Sequence, residues 1–184
     1  MFEENQDSFE FVYSPAILEL VRRANELCLF LENIRETEAR NFIRKSVAQL
    51  SGVYAAMLEI GETEADEDVL PDPTVSEQDW SALYQGIAAL LGPWNELIRP
   101  AEEEEFDRSE VVSHTISEDM ADVYQELRDF TTVYARGMEE FMNGAAWLLR
   151  ERFAEHWGKK LLRALSSLHE LYVQDINPED EDDV

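Results

Sequence analysis

The stretch TISEDMADVYQELRDFTTVY (residues 115–134) determines the fold class predicted for this 184-residue chain. Its apolar positions recur at steps of three and four, the period of an α-helix with one buried face. Thr115 and Ser117 both fit an N-cap, and Thr115 with Glu118 matches a capping box. The stretch therefore predicts an amphipathic helix that buries one row of side chains: Ile116, Met120, Val123, Tyr124, Leu127, Phe130 and Tyr134.

The apolar period continues from this helix as far as Tyr172. One uninterrupted helix over that distance would be about 84 Å long, which is too long for a small domain. We therefore expect a break, either at Gly137, which fits a helix C-cap, or at Asn143-Gly144, which fits a turn. The sequence leaves both sites open, and it permits a further kink at Gly158.

Three helices are predicted upstream of residue 115 from the same periodicity. The first covers about residues 15–34, and the second begins at Thr37 and ends near Gly61. The third follows the Ser76 N-cap, where Asp79 takes the third place of a capping box. Gly92-Pro93 must end or kink that helix.

These predictions describe an all-α, single-domain helical bundle of five to seven helices with acidic linkers and tails. Convincing alternation, the pattern of a half-buried strand, is confined to the short run from Phe9 to Tyr13. We divide the chain into an acidic N-terminal segment (residues 1–14), the bundle (15–173) and an acidic C-terminal tail (174–184).

The negative charge is predicted to lie between and beyond the helices. The chain has a formal net charge of −26, from 41 acidic and 15 basic side chains. Residues 1–10, 59–79, 101–110 and 175–184 together hold 25 of the acids and a single base, Arg108. Acid confined to linkers and tails is typical of solvated, mobile segments that keep a protein soluble. The alternative is that these segments contact a basic partner; a pI near 4.2 argues against direct nucleic-acid binding.

The sequence also favours a cytoplasmic location. The single cysteine, Cys28, cannot form an internal disulfide, and its neighbours are apolar, so we expect a buried, unreactive thiol. The N-terminus is acidic where a secretory signal would be basic, and no apolar run reaches the roughly 18 residues of a membrane span.

Four carboxylates on the predicted helix at residues 115–134 form the main candidate for a catalytic site. Asp119, Asp122, Glu126 and Asp129 lie within about 80° of arc on a regular helix, and such a row can bind Mg²⁺. It is equally compatible with a solvated or ion-paired edge beside the apolar face. The pattern alone does not choose between them.

Glu126 and Asp129, taken with Glu102 and Glu105, resemble the paired ExxE and ExxD helices of all-α nucleoside triphosphate pyrophosphohydrolases. That resemblance implies an Mg²⁺-dependent enzyme acting on phosphorylated small molecules. However, other acid pairs of the same spacing occur in this chain, including Glu59 with Glu62. We therefore treat this enzyme as the alternative hypothesis.

A basic stripe is predicted on the last helix, opposite its apolar face. Arg152, His156, Lys159 and Arg163 fall within about 60° of arc on a regular helix. This is either an ordinary solvent face or a docking surface for an anionic ligand or for the chain's own acidic tail. The three histidines form no HExxH, ExxH or HxxxH pair, so the sequence gives no support for a zinc or di-iron site.

Residues 117–130, residues 153–165 and Leu168-His169 resemble an uncharacterised bacterial family of short all-helical proteins. The similarity runs from about Ala24 to Tyr172 and implies a helical fold and a bacterial source. It brings no activity, cofactor or site residue. With no catalytic motif recognised, the leading hypothesis is a cytoplasmic protein-interaction module without catalysis of its own and with no cofactor. Its protein partner is unknown, and the acidic segments favour a basic one.

Overall fold

The computed structural model describes residues 10–65, 69–96 and 114–174. Within these ranges the chain forms six α-helices and no strand, which confirms the predicted all-α bundle. The helices are α1 (Pro15–Glu32), α2 (Ala39–Glu59), α3 (Glu77–Leu91), α4 (Ile116–Ala135), α5 (Glu139–Arg152) and α6 (Gly158–Val173).

Helices α1, α2, α6 and α4 form a ring in which each packs against the next, and α4 closes the ring on α1. Helices α3 and α5 pack on the outside of α4, which therefore touches four other helices. This position explains why α4 is buried on more than one side. The predicted apolar row of α4 lies in the core, with Tyr134 half-buried at its end.

Side-chain caps fix where three of the helices begin. The Ser14 hydroxyl accepts from the Ile17 backbone N–H at 3.4 Å at the start of α1. Ser76 and Asp79 form the predicted reciprocal capping box at the start of α3. Of the two predicted caps, Thr115 and Ser117, Thr115 is the N-cap of α4, and its hydroxyl accepts from the Glu118 N–H at 3.2 Å.

The other predicted cap residue of α4, Ser117, takes part in a buried polar cluster. The Asn95 amide donates to the Ser117 hydroxyl and accepts from the Ser117 backbone N–H, both at 2.9 Å. The Asn95 side chain thus satisfies one of the unpaired N–H groups of the first helical turn. These bonds tie the segment that ends α3 to the start of α4.

The break after α4 lies at Gly137, which has φ +64°, the left-handed conformation that glycine adopts without strain. Asn143-Gly144 is not a turn but lies inside α5. There, Gly144 contacts a distant segment of the chain. A Cβ at position 144 would lie 2.6 Å from the carbonyl oxygen of Val69, so glycine allows the linker between α2 and α3 to pack directly on α5.

Helices α5 and α6 are joined by a π-helical turn, Phe153–Trp157, next to the predicted kink at Gly158. The Trp157 side chain is fully buried and donates from its indole N–H to the Leu149 carbonyl at 2.9 Å. A Cβ at Gly158 would lie 2.5 Å from the Phe153 carbonyl, so the turn requires glycine at this position. A π-turn adds one residue to the helical register.

Most of the predicted acidic segments lie outside the described residues: residues 1–9 of the N-terminal segment, Glu102 to Glu105, and the tail beyond Gln174. Within the described ranges, none of the helices combines the length and apolarity that a membrane crossing requires.

Candidate functional site

The four candidate carboxylates lie along α4, and each is engaged by a different part of the protein. Asp119, Asp122 and Glu126 face the helical segment formed by α5, the π-turn and α6, and they pair with three of its basic side chains. Asp129 instead holds the linker before α3. We call the three ion pairs the α4 ladder.

The first pair of the ladder is the most buried. The Arg163 guanidinium binds the Asp119 carboxylate with two hydrogen bonds, one of them from Nε to Oδ2 at 3.0 Å. The Asp119 side chain is 4% exposed and that of Arg163 is 38% exposed. The hydrogen bond to Asp119 raises the pKa of Arg163 above its ordinary value. Two-point binding fixes the rotation of α6 relative to α4.

The other two pairs extend the ladder along α4. The Asp122 carboxylate accepts from the Lys160 ammonium and, at 2.8 Å, from the Trp80 indole N–H on α3. The Glu126 carboxylate accepts from the Arg152 guanidinium at 3.1 Å. Asp122 therefore joins three helices, and the ladder contributes to how α3, α4 and α6 are arranged.

Asp129 accepts three hydrogen bonds on one carboxylate oxygen. Its Oδ1 receives the Thr74 backbone N–H at 2.6 Å, the Thr74 hydroxyl at 2.8 Å and the Val75 N–H at 2.9 Å. This is the geometry of a side-chain cap that stabilises a turn. The turn it holds leads directly into the capping box of α3.

The space beside these carboxylates is small. A cavity of about 30 Å³ lies between α4, α5 and the linker, with Glu126, Asp129 and Arg152 in its lining. That volume holds one or two water molecules, whereas small-molecule sites typically have roughly 300–1,000 Å³. Within the described part of the chain, no group of three or more His, Cys, Asp or Glu side chains is arranged to bind a metal ion.

The predicted basic stripe is divided by the π-turn. Arg152 and Arg163 face α4 and belong to the ladder, whereas His156 and Lys159 are exposed. The prediction assumed a regular helix, in which residue 159 lies in line with residue 152. The extra residue of the π-turn puts Lys160 there instead, and it is Lys160 that completes the ladder.

The linker between α2 and α3 is held against the bundle along its described parts. We call residues 60–65 and 69–76 the acidic strap. The Asn143 amide on α5 donates to the Glu64 carbonyl and its oxygen accepts from the Thr63 hydroxyl, both at 2.6 Å. Gly144 receives the strap at Val69, and Asp129 binds its last turn.

The carboxylates of the acidic strap lie on its outer side. Glu62, Glu64 and Asp72 are exposed, and Glu62 makes one long contact of 3.4 Å with Arg150. We predicted solvated segments from the charge pattern. In its described residues the strap presents these acids to solvent while its backbone contacts α4 and α5.

Sequence reasoning missed four residues that shape this region: Trp80, Asn143, Gly144 and Lys160. Asn143-Gly144 was considered only as a turn. No short motif marks the π-turn, so the pairing of Lys160 had no local signal. The buried state predicted for Cys28 is confirmed, and burial raises its pKa to about 12.

Together these features define a class: an all-helical bundle in which a row of carboxylates on α4 connects that helix to the neighbouring elements. The family model that matches residues 11–174 is described as a domain of unknown function (DUF5063), and the chain belongs to this family. This confirms the resemblance stated from the sequence.

A crystal structure of protein BF1032 from Bacteroides fragilis, a structural genomics target, has the same fold. It is 26% identical to this chain with a TM-score of 0.78, and the alignment covers 88% of this chain and 94% of that protein. No curated protein matches the chain.

Proposed function

We propose that the protein is a cytoplasmic protein-interaction module without catalysis of its own, and that it binds a basic partner protein through the acidic strap. One observation carries this proposal. The strap is fixed by Asn143, Gly144 and Asp129, while its carboxylates are exposed. A charged surface that is already ordered loses little conformational entropy on binding, which favours specific recognition.

The charge balance supports a basic partner. In the described part of the chain, most arginines and lysines that face another helix are paired with a carboxylate, as Arg163, Lys160 and Arg152 are. Their charge therefore adds little to the outer surface. The net field is negative, and such a field accelerates encounter with a cationic surface.

A role without catalysis is supported by how the four candidate carboxylates of α4 are used within the described part of the chain. Asp119, Asp122, Glu126 and Asp129 each accept hydrogen bonds from protein groups. Binding of Mg²⁺ by this row would have to compete with those bonds. The adjoining cavity is smaller than a nucleotide requires.

The test compares two variants that remove the same charge from different places. Glu64→Gln with Asp72→Asn removes two of the three carboxylates of the strap, and Glu140→Gln with Glu155→Gln removes two exposed acids on the α5 to π-turn segment. Each tagged full-length protein is used to capture partners from the source cell's lysate at low salt. The captured proteins are quantified by mass spectrometry.

We expect a basic protein in stoichiometric amount with the wild type and the control variant, and its loss with the strap variant. Repeating the capture at about 0.5 M salt should also release it, because exposed charges are strongly screened there. Equal recovery by both variants, or a captured protein that is not basic, would contradict the proposal.

A further inference from the structure

A groove lies between the start of α2 and the end of α6, and the acidic strap does not contribute to its lining. It has a volume of about 610 Å³. Its lining combines charged side chains of α2 with apolar side chains of α6: Glu38, Arg40, Asn41, Ile43, Arg44, Leu171, Tyr172 and Val173. This volume lies within the range of ligand sites in proteins, roughly 300–1,000 Å³.

The apolar part of the groove is incompletely covered. Ile43 and Leu171 are 2% and 1% exposed and belong to the core. Beside them, Tyr172 and Val173 are 51% and 60% exposed, and they are consecutive residues. Two adjacent exposed apolar side chains at the mouth of a groove give an entering segment apolar surface to bury.

The charged part of the groove attracts anions, although the chain as a whole carries a charge of −26. Residues 34–45 contain four bases and two acids, and the groove is lined by Arg40 and Arg44 of this stretch together with one of its acids, Glu38.

We infer that the acidic C-terminal segment of this chain, residues 175–184, docks in this groove. The segment follows Gln174 directly, one residue after the groove residue Val173. Ten extended residues reach roughly 33 Å, more than the two turns of α2 that line the groove. The covalent link gives the segment a high effective concentration at the groove.

The composition of residues 175–184 matches both halves of the groove. Six of the ten residues are acidic, and they complement the guanidinium groups of Arg40 and Arg44. Ile176 stands close to the point of attachment and supplies an apolar side chain for the surface of Tyr172 and Val173. Docking covers that apolar surface and closes the groove to other acidic peptides.

The experiment uses full-length protein with Arg44→Lys, which keeps the charge and supplies an amine. A carbodiimide joins an amine to a carboxylate that is in direct contact with it. The products are separated into monomer and dimer bands and mapped by mass spectrometry. Native Lys159, exposed two turns or more away from the groove on α6, is the internal control.

We expect the amine introduced at position 44 to be joined to an acid of residues 175–183 in the monomer band. The level should be about tenfold above that of Lys159, because tethering raises the local concentration only near the groove. Raising the salt to about 0.5 M should abolish the excess. Equal joining to both amines, or none at position 44, would overturn the inference. Joining confined to the dimer band would assign the groove to a second copy and overturn it as well.

Discussion

The Cys28 thiol shows how burial decides the chemistry of a single residue. Its side chain is fully enclosed, and burial raises its pKa to about 12 because the thiolate would lose its hydration. A thiol in this state is neutral at physiological pH and does not act as a nucleophile. The protein therefore has no reactive cysteine while it is folded, since Cys28 is the only one.

We predict that Cys28 reacts with a thiol reagent such as dithionitrobenzoate only after unfolding. The measurement follows colour release at pH 8 with and without urea. Because the folded pKa lies above the unfolded one, Cys28 stabilises the native state fully below pH 9 and loses this contribution as pH rises towards 12. Rapid labelling of the native protein would contradict the burial.

Arg163 forms the ion pair of the α4 ladder whose carboxylate is the most buried. We predict that Arg163→Met lowers the free energy of unfolding by about 2 kcal/mol, because it leaves the Asp119 carboxylate buried without a counter-ion. The value lies below that for fully buried pairs because Arg163 is partly exposed. Urea denaturation provides the measurement.

Two comparisons identify the cause of that loss. Adding Asp119→Asn to Arg163→Met should recover part of the stability, since the amide carries no charge to desolvate. Arg152→Met should cost less, because its partner Glu126 is more exposed than Asp119. A loss in Arg152→Met as large as in Arg163→Met would show that side-chain packing, and not the buried charge, causes the effect.

At the scale of elements, two glycines have different roles: Gly137 ends a helix, and Gly144 lets a distant segment pack against one. Gly137 ends α4 with a positive φ, as a C-cap glycine does. Gly144 has an ordinary helical conformation, and its missing side chain makes room for the acidic strap. The dipeptide Asn143-Gly144 thus has the composition of a turn but the role of a docking site.

We predict that Gly144→Ala displaces the strap and lowers the melting temperature, although alanine is the better helix former. Its Cβ would lie 2.6 Å from the Val69 carbonyl, which is backbone and cannot rotate away. Gly61→Ala is the matched control, since a Cβ there meets no atom within 4 Å. Limited proteolysis of the strap and thermal unfolding measure the difference; an unchanged Gly144→Ala protein would exclude this contact as a support of the strap.

The π-turn also acts at the scale of helices. It shifts the register of α6 by one residue relative to α5, which brings Lys160 to Asp122 and leaves Lys159 in solvent. A basic stripe predicted on a regular helix therefore includes Lys159, which lies outside the ladder, and omits Lys160, which belongs to it. The turn forms where Trp157 and Gly158 pack against the preceding helix, a contact that helical periodicity does not encode.

For the whole molecule, the net charge of −26 sets the response to salt. We predict that the melting temperature rises as sodium chloride is increased from low to moderate concentration, because screening reduces the repulsion among unpaired acids. The exposed ion pairs weaken at the same time, but each contributes only about 0–1 kcal/mol. A melting temperature that falls with salt would show that attractive pairs dominate the fold.

The same measurement distinguishes the interaction module from the Mg²⁺ enzyme. We predict that millimolar Mg²⁺ raises the melting temperature of the wild type and of Asp122→Asn by equal amounts at matched ionic strength. A ligand that binds the native state must stabilise it, so a specific site would give the wild type an additional shift. Such a shift, increased further by a nucleotide, would favour the enzyme.

The sequence by itself determined the helical class, the apolar row of α4 and the capping box at Ser76, and it narrowed the cap of α4 to Thr115 or Ser117. These features depend on side chains within a few positions of one another, and local periodicity and capping chemistry record them directly. For the same reason Cys28 and the apolar row of α4 were predicted as core residues.

Only the tertiary structure decided which charges meet. Asp119 finds Arg163, Asp122 finds Lys160 and Trp80, and Asp129 finds the strap, over separations of 38 to 55 residues. Because the π-turn contains one extra residue, Lys160 and not Lys159 reaches Asp122. Contacts between distant segments depend on how helices pack in three dimensions, and a one-residue shift in register rotates a side chain by about 100°.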